Sequence, residues 1–140
     1  MYGVQVKPIY DKLYPELKKI LCLETAARYL GLSKGWGIPV MVYYDSGRII
    51  SSEYFIGKKV ENLDSIQQIQ KNGVYCTTPE RTLCDLLLTQ SCPQTASQSL
   101  ITYYHQNDGD ISELLNLAKT YSLTEKIQEC LDSALEYYDE

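Results

Sequence analysis

Glu80, Arg81 and Asp85 stand close together, and side chains of these types can do two kinds of chemistry. Carboxylates can hold a divalent metal for hydrolysis, and a guanidinium beside a carboxylate can form a directed ion pair. If the segment is helical, Arg81 and Asp85 are surface neighbours four residues apart, a spacing worth a few tenths of a kcal/mol when exposed. Arg81 is expected to tie the helix start to neighbouring backbone or to Asp85, with contact to a partner as the alternative use. Glu24, Asp45 and Glu53 could join Glu80 and Asp85 in a metal-dependent nuclease. With 18 acidic residues in the chain, however, a solvated or helix-capping role is the expectation for each.

Other catalytic patterns lack their carriers. His105 is the single histidine, and Cys22, Cys76, Cys84, Cys92 and Cys130 show no C-x-x-C spacing, so no zinc site assembles from them. The five thiols read as reduced and buried, in keeping with a cytoplasmic protein. Phosphate-cradling loops, nucleophile elbows and H-E-x-x-H helices do not occur. A nucleotidyltransferase would need a Gly-Ser turn followed by paired acids, of which Gly35-Trp36-Gly37 and Asp45-Ser46-Gly47 are only fragments. The sequence therefore predicts no enzyme, no metal and no cofactor.

Charge restricts the partners. Thirteen basic against 18 acidic residues give a net charge of -5, a field that repels phosphate backbones, so DNA binding by this chain alone is not expected. Lys18, Lys19, Lys58, Lys59 and Lys71 are scattered and read as solvated surface. No apolar run approaches the roughly 18 residues of a membrane span, and the longest cluster, Ile38 to Tyr44, contains a proline. Thirteen tyrosines against one phenylalanine predict many half-buried rings. The pairs Tyr43/Tyr44, Tyr103/Tyr104 and Tyr137/Tyr138 suggest one ring turned inward and one outward. Part of this set could serve a contact surface, including one that builds a homo-oligomer.

The elements that must position these residues are legible in outline. A length of 140 residues suits one domain, residues 1–140. Ile9 to Leu32 reads as helical with an interruption at Pro15, the part from about Glu24 ending at Gly31. After a loop around Trp36, Ile38 to Tyr44 and Arg48 to Ile56 read as strands joined through Asp45-Ser46-Gly47 into a hairpin. Asn62 to Lys71 reads as a short helix or irregular link, and Asn72-Gly73 as a turn into a strand from Val74 to Cys76. Thr78 is the expected cap of the next helix, with Pro79 at its first position, Glu80 at its positive end, and Leu83, Leu86 and Leu87 facing a core. Thr77 with Glu80 also has capping-box spacing, but that reading makes Thr78 helical directly before a proline, which sterics disfavour.

Beyond Pro93 three helices are predicted. Ala96, Leu100, Ile101 and Tyr104 mark the first, and Leu114, Leu115, Leu117, Ala118 and Tyr121 the second. Asp110 and Glu113 have capping-box spacing at the second, and Thr124 can cap a third with the stripe Ile127, Leu131, Leu135 and Tyr138. The fold class is α+β: a small mixed sheet with a hairpin packed against several helices, the C-terminal third all helical, sharing one core.

The run Gly-Val-Tyr-Cys-Thr-Thr-Pro-Glu-Arg-Thr-Leu-Cys-Asp-Leu-Leu at 73–87 resembles a segment of the C-terminal domain of AbiEi-type antitoxins, from bacterial abortive-infection toxin–antitoxin pairs. Leu23-Glu24-Thr25-Ala26-Ala27-Arg28-Tyr29-Leu30-Gly31-Leu32 is similar to that family's Glu-Thr/Ser-Ala…Leu-x-Gly-Leu helix, and the tail from Asp110 to Leu135 extends the likeness over most of the chain. Glu80, Arg81, Asp85, Glu24 and Thr25 are the family-signature residues and the candidates for partner binding. Only residues 1–22 precede the first matching helix, so the winged-helix DNA-binding domain of full-length members is not expected here.

The resemblance implies a non-enzymatic antitoxin-like protein that counteracts a cognate nucleotidyltransferase-like toxin in phage defence, whether or not the two make direct contact. The alternative is an accessory or oligomerisation domain of a transcriptional regulator, working with a separate DNA-binding subunit.

Overall fold

Parallel and antiparallel pairing mix within one five-stranded sheet, ordered β3-β2-β1-β5-β4. The computed structural model describes residues 6–34, 39–90 and 93–138, with Tyr137 and Tyr138 in backbone only. Helix α1 (Val6–Lys12) leads to β1 (Ile20–Leu21) and α2 (Leu23–Tyr29), then to β2 (Val40–Tyr44) and β3 (Phe55–Lys59). A 3-10 turn (Leu63–Ser65) precedes β4 (Gln68–Lys71) and β5 (Val74–Thr77). Helices α3 (Pro79–Thr89), α4 (Pro93–Gln106), α5 (Ser112–Thr120) and α6 (Thr124–Tyr138) complete the fold, which is α+β with an all-helical C-terminal region. The expected loop around Trp36, the strand residue Ile38 and Cys92 lie outside the described residues.

Successive side chains leave a strand on opposite faces, and both faces of this sheet are covered. Ile20 and Tyr43 face the layer of α3, α4, α5 and α6, in one core with Leu83, Leu86, Leu100, Leu114 and Ile127. Leu21, Val40, Val42, Tyr44, Val74 and Cys76 face the other way, against Val6 and Tyr10 of α1 and Ala26 of α2. Covering both faces changes the tyrosine reading. Tyr43 and Tyr44 point in opposite directions yet both are buried, so neither ring of that pair is turned to solvent. Tyr103 and Tyr104 do divide as expected, one buried and one half-buried.

Three stretches depart from the predicted elements. Ile9 to Leu32 is not one interrupted helix: the helix ends at Lys12, and Ile20-Leu21 forms the middle strand, antiparallel to β2 and parallel to β5. A two-residue strand offers no alternation to read, and its fully apolar run resembles a helix face as much as a buried strand. The predicted hairpin is absent as well. β2 and β3 run parallel, from Val40 opposite Phe55 to Tyr44 opposite Lys59, so residues 45–54 form a crossover rather than a tight turn and returning strand. Ile49 of that crossover lies so close to Gly57 that a Cβ there would come within 2.7 Å of it. The link from Asn62 to Lys71 holds the 3-10 turn and then strand β4, whose register is fixed by the Asn72-Gly73 turn, both residues at positive φ.

The helix signals hold at several ends. α2 closes at Gly31 with φ 78°, in the left-handed conformation that glycine adopts without a Cβ penalty. Thr78 caps α3, its hydroxyl accepting from Arg81 N–H at 3.2 Å, with Pro79 in the first turn. At α5 the expected capping box does not form: Ile111 takes the cap position without a side-chain bond, and Asp110, one residue earlier, accepts from Ser112 N–H at 3.0 Å. Lys19 overturns another expectation: it is buried rather than solvated, its ammonium 4.3 Å from the Tyr10 ring centre and 3.3 Å from the Tyr14 carbonyl.

Candidate functional site

The start of α3 gathers the densest set of polar side chains, because strand β5 delivers the chain into the helix through a proline-set turn against the sheet face. Thr77, the last residue of β5, and Thr82, in the second turn of α3, are both fully buried with their hydroxyls 2.6 Å apart. Thr82 also donates to the Thr78 carbonyl at 2.8 Å. This local mesh fixes the helix start and thereby the direction in which Glu80, Arg81 and Asp85 leave it.

Arg81 and Asp85 do pair, Nε to Oδ1 at 2.9 Å, with their side chains only 16% and 5% exposed. The pair is therefore not the solvated surface bridge that spacing alone suggests. Arg81 donates a second bond, from Nη1 to Gln67 Oε1 at 3.1 Å, and its guanidinium lies 5.4 Å from the Tyr121 ring centre. The other carboxylate oxygen of Asp85 accepts from the Tyr43 hydroxyl at 2.8 Å. One continuous chain of contacts thus joins β2, α3, the residue before β4 and the end of α5.

Burial dominates the electrostatics. It raises the Asp85 pKa, an effect that the charge of Arg81 and the bonds from Tyr43 and Arg81 only partly offset. For Arg81 burial acts downward, but the charge and hydrogen bond of Asp85 more than compensate, and its pKa is raised. Tyr43 is pushed up by burial and then by neighbouring Cys22 and Asp85. Tyr103, which donates to Glu80 Oε2 at 2.7 Å, is raised by burial and then by that carboxylate. Both phenols are protonated donors at neutral pH. Three thiols are poor nucleophiles there too, since burial lifts Cys22 well above its usual range, Cys76 to about 12 and Cys84 to about 11.

The predicted site residues accordingly divide. Arg81 and Asp85 come together, and Glu80 turns from them to Tyr103 on α4. Thr25 serves a separate joint: its buried hydroxyl donates to the Pro39 carbonyl at 3.1 Å and accepts from Met41 N–H at 3.0 Å, fastening α2 to the start of β2. Glu24 lies beside it, half-buried in the first turn of α2. Asp45 accepts from Leu63 N–H at 2.9 Å, a structural bond remote in kind from metal ligation. Among the described residues no three His, Cys, Asp or Glu side chains form a group that could hold a metal ion. Tyr43, Gln67, Tyr103 and Tyr121 were not among the expected site residues. The paired tyrosines at 43/44 and 103/104 and the helical stripe ending at Tyr121 marked three of them as packing residues, and Gln67 had no signal.

Beside this network, and sharing Gln67 with it, an open groove of about 460 Å³ runs between the start of α3 and α5, lined also by Thr78, Glu80, Glu113, Asn116 and Thr120. Its walls carry carboxylates, two amides and hydroxyls over Leu117, a surface suited to hydrogen-bonded contact with another macromolecule. No helix among the described residues is long and apolar enough to cross a membrane. No protein-family model matches the chain, and no curated protein matches it.

Proposed function

We propose that this chain is an antitoxin-like protein of a bacterial toxin–antitoxin pair, acting in the cytoplasm to counteract a nucleotidyltransferase-like toxin without itself catalysing a reaction. The observation that carries the reading is the behaviour of residues 73–87, the run that resembles AbiEi-type antitoxins. They form one strand–cap–helix unit in which Thr77, Thr78, Glu80, Arg81, Thr82 and Asp85 are all bonded within the fold. These carboxylates are engaged by phenols and a guanidinium in holding the unit together, which supports reading it as a scaffold for a presented surface. The presented surface is then the working part, with the groove between α3 and α5 beside it.

A growth assay tests the proposal: cells express the nucleotidyltransferase-like product of the neighbouring gene, with or without this chain from a second plasmid. Restored growth is the expected result, and toxicity that persists beside soluble, folded protein overturns it. A second reading, an accessory or oligomerisation domain working with a separate DNA-binding subunit, is favoured by one feature, the edge of β4, which no other strand covers among the described residues. It predicts a promoter gel shift that requires both chains.

A further inference from the structure

The sheet ends in two edges that the chain treats differently. Along β3 the crossover from β2 lies back on the strand: Ser52 N–H donates to the Phe55 carbonyl at 2.8 Å and Gly57 N–H to Ser51 Oγ at 3.2 Å. That edge is partly satisfied by its own chain. Along β4 no such cover exists among the described residues. Thr78 N–H reaches the Gln67 carbonyl at 3.1 Å, one step beyond the Gln68–Thr77 pair. Since an antiparallel ladder alternates, Gln67, Ile69 and Lys71 direct their main-chain groups to β5, whereas Gln68 and Gln70 direct theirs outward. Ile69, Gln70 and Lys71 are exposed, Ile69 to 39% despite being apolar. Natural edges are often covered or kinked, and this one is guarded only by its shortness and by Lys71 at its end.

We infer that the β4 edge is a self-association surface, on which two copies of the chain pair β4 with β4 in antiparallel register about a two-fold axis at Ile69. Unpaired main-chain groups select an extended strand as occupant, and three features select a second copy. The segment is its own complement: Gln68 falls opposite Gln70 of the second copy, the two exchanges give about four backbone hydrogen bonds, and Ile69 meets Ile69 at the closer, non-bonded spacing. The only charge of the strand is Lys71 at its end, since Asp64 lies four residues ahead of Gln68 and is already paired with Lys18 at 2.8 Å. Antiparallel pairing keeps the two lysines at opposite ends of the ladder, whereas parallel pairing stacks lysine on lysine. Finally, the 3-10 turn and the Asn72-Gly73 turn limit the edge to four residues, so a longer foreign strand gains no further ladder bonds.

Sedimentation velocity on the full chain from micromolar to about millimolar concentration tests this. The expected result is a reversible rise toward twice 16.0 kDa. For so small an interface the Kd should be on the order of 10–100 μM. Ile69→Lys sets two ammonium groups across the axis, and Gln70→Pro deletes an outward N–H without touching the β5 ladder. Each should weaken association at least about tenfold with thermal unfolding unchanged. Ile50→Lys, at an exposed apolar residue of the crossover, should leave it intact. A chain monomeric up to about 1 mM overturns the proposal. So does a dimer that survives Ile69→Lys, or one that Ile50→Lys abolishes. If Gln70→Pro compromises folding, Ile69→Lys decides alone, since its side chain is already in contact with water.

Discussion

A half-buried arginine and a buried lysine sit on opposite sides of this sheet, and the fold treats them in contrasting ways. Arg81, on the side of the helical layer, has a carboxylate, an amide oxygen and an aromatic ring around it. Lys19, between α1 and the sheet, is 4% exposed and has a tyrosine ring and one main-chain carbonyl. Taking a charge out of water costs several kcal/mol unless hydrogen bonds and opposite charge offset it. Arg81 is offset locally by Asp85. Lys19 relies on the ring face of Tyr10, on the Tyr14 carbonyl and on the more distant charges of Asp11 and Glu16, and burial still pulls its pKa down. The first arrangement binds four elements together and is costly to cut; the second is a charge tolerated where the chain passes from α1 to β1.

Cutting the first should have the larger effect. Asp85→Ala leaves Arg81 Nε and the Tyr43 hydroxyl without acceptors in a buried position, and the expected loss is about 3 kcal/mol. Urea unfolding at neutral pH measures it. A loss below about 0.5 kcal/mol would mean that water or Gln67 replaces Asp85 freely, and the contrast with Lys19 would collapse.

Removing the second cation should do little or help. Lys19→Met keeps most of the aliphatic stem, discards the desolvated ammonium and gives up a cation–π contact worth about 1–2 kcal/mol. Tyr10 remains anchored because its hydroxyl donates to the main-chain carbonyl of residue 19 at 2.8 Å, which the substitution does not alter. Stability is expected to stay level or rise by up to about 1 kcal/mol in the same urea series. A loss comparable to that of Asp85→Ala would show Lys19 to be an organising charge after all.

The same contrast marks what could be read in advance. Arg81 and Asp85 announce themselves by their i,i+4 spacing behind Thr78-Pro79, because capping and helical periodicity are local rules. Their burial was not legible, since it depends on Tyr43, forty-two residues upstream in β2, and on Tyr121 beyond the next helix. Lys19 was misread as surface for a related reason. Its neighbourhood looks helical until Ile20-Leu21 is recognised as the middle strand, and a two-residue strand is defined by its partners β2 and β5 rather than by any pattern of its own. The missed β2–β3 relation has the same origin. Asp45-Ser46-Gly47 does bend the chain, with Gly47 at φ 80°, but a bend does not say whether the next strand returns alongside in antiparallel or crosses over to run parallel. Local signals fixed the ends of α2 and α3, and long-range pairing fixed everything they lead into.

Acid and alkaline titration sharpen the comparison further, with the smallest effects of the set. The Asp85 pKa is raised in the fold, so the native state holds its proton more tightly than the unfolded chain does. Its favourable contribution is fully present below the unfolded carboxylate pKa of about 3.9 and is lost as pH rises through the folded value. Lys19 has the opposite sign. A base with a lowered pKa binds its proton less tightly when folded, so its penalty is relieved as pH climbs from the folded value toward the unfolded lysine pKa of about 10.4. Tyr43 and Tyr103, both raised, lose stabilisation above the unfolded tyrosine pKa of about 10, so total stability must fall there and only differences between variants isolate the lysine. The stability of the natural chain minus that of Asp85→Asn should therefore decrease with pH across the acid range. The corresponding difference with Lys19→Met should increase with pH across the alkaline range. A reversed acid slope would mean that Arg81, rather than burial, governs Asp85. A flat alkaline difference would mean that Lys19 is solvated in the native state, and the two cations would then differ in exposure instead of in the way the fold accommodates them.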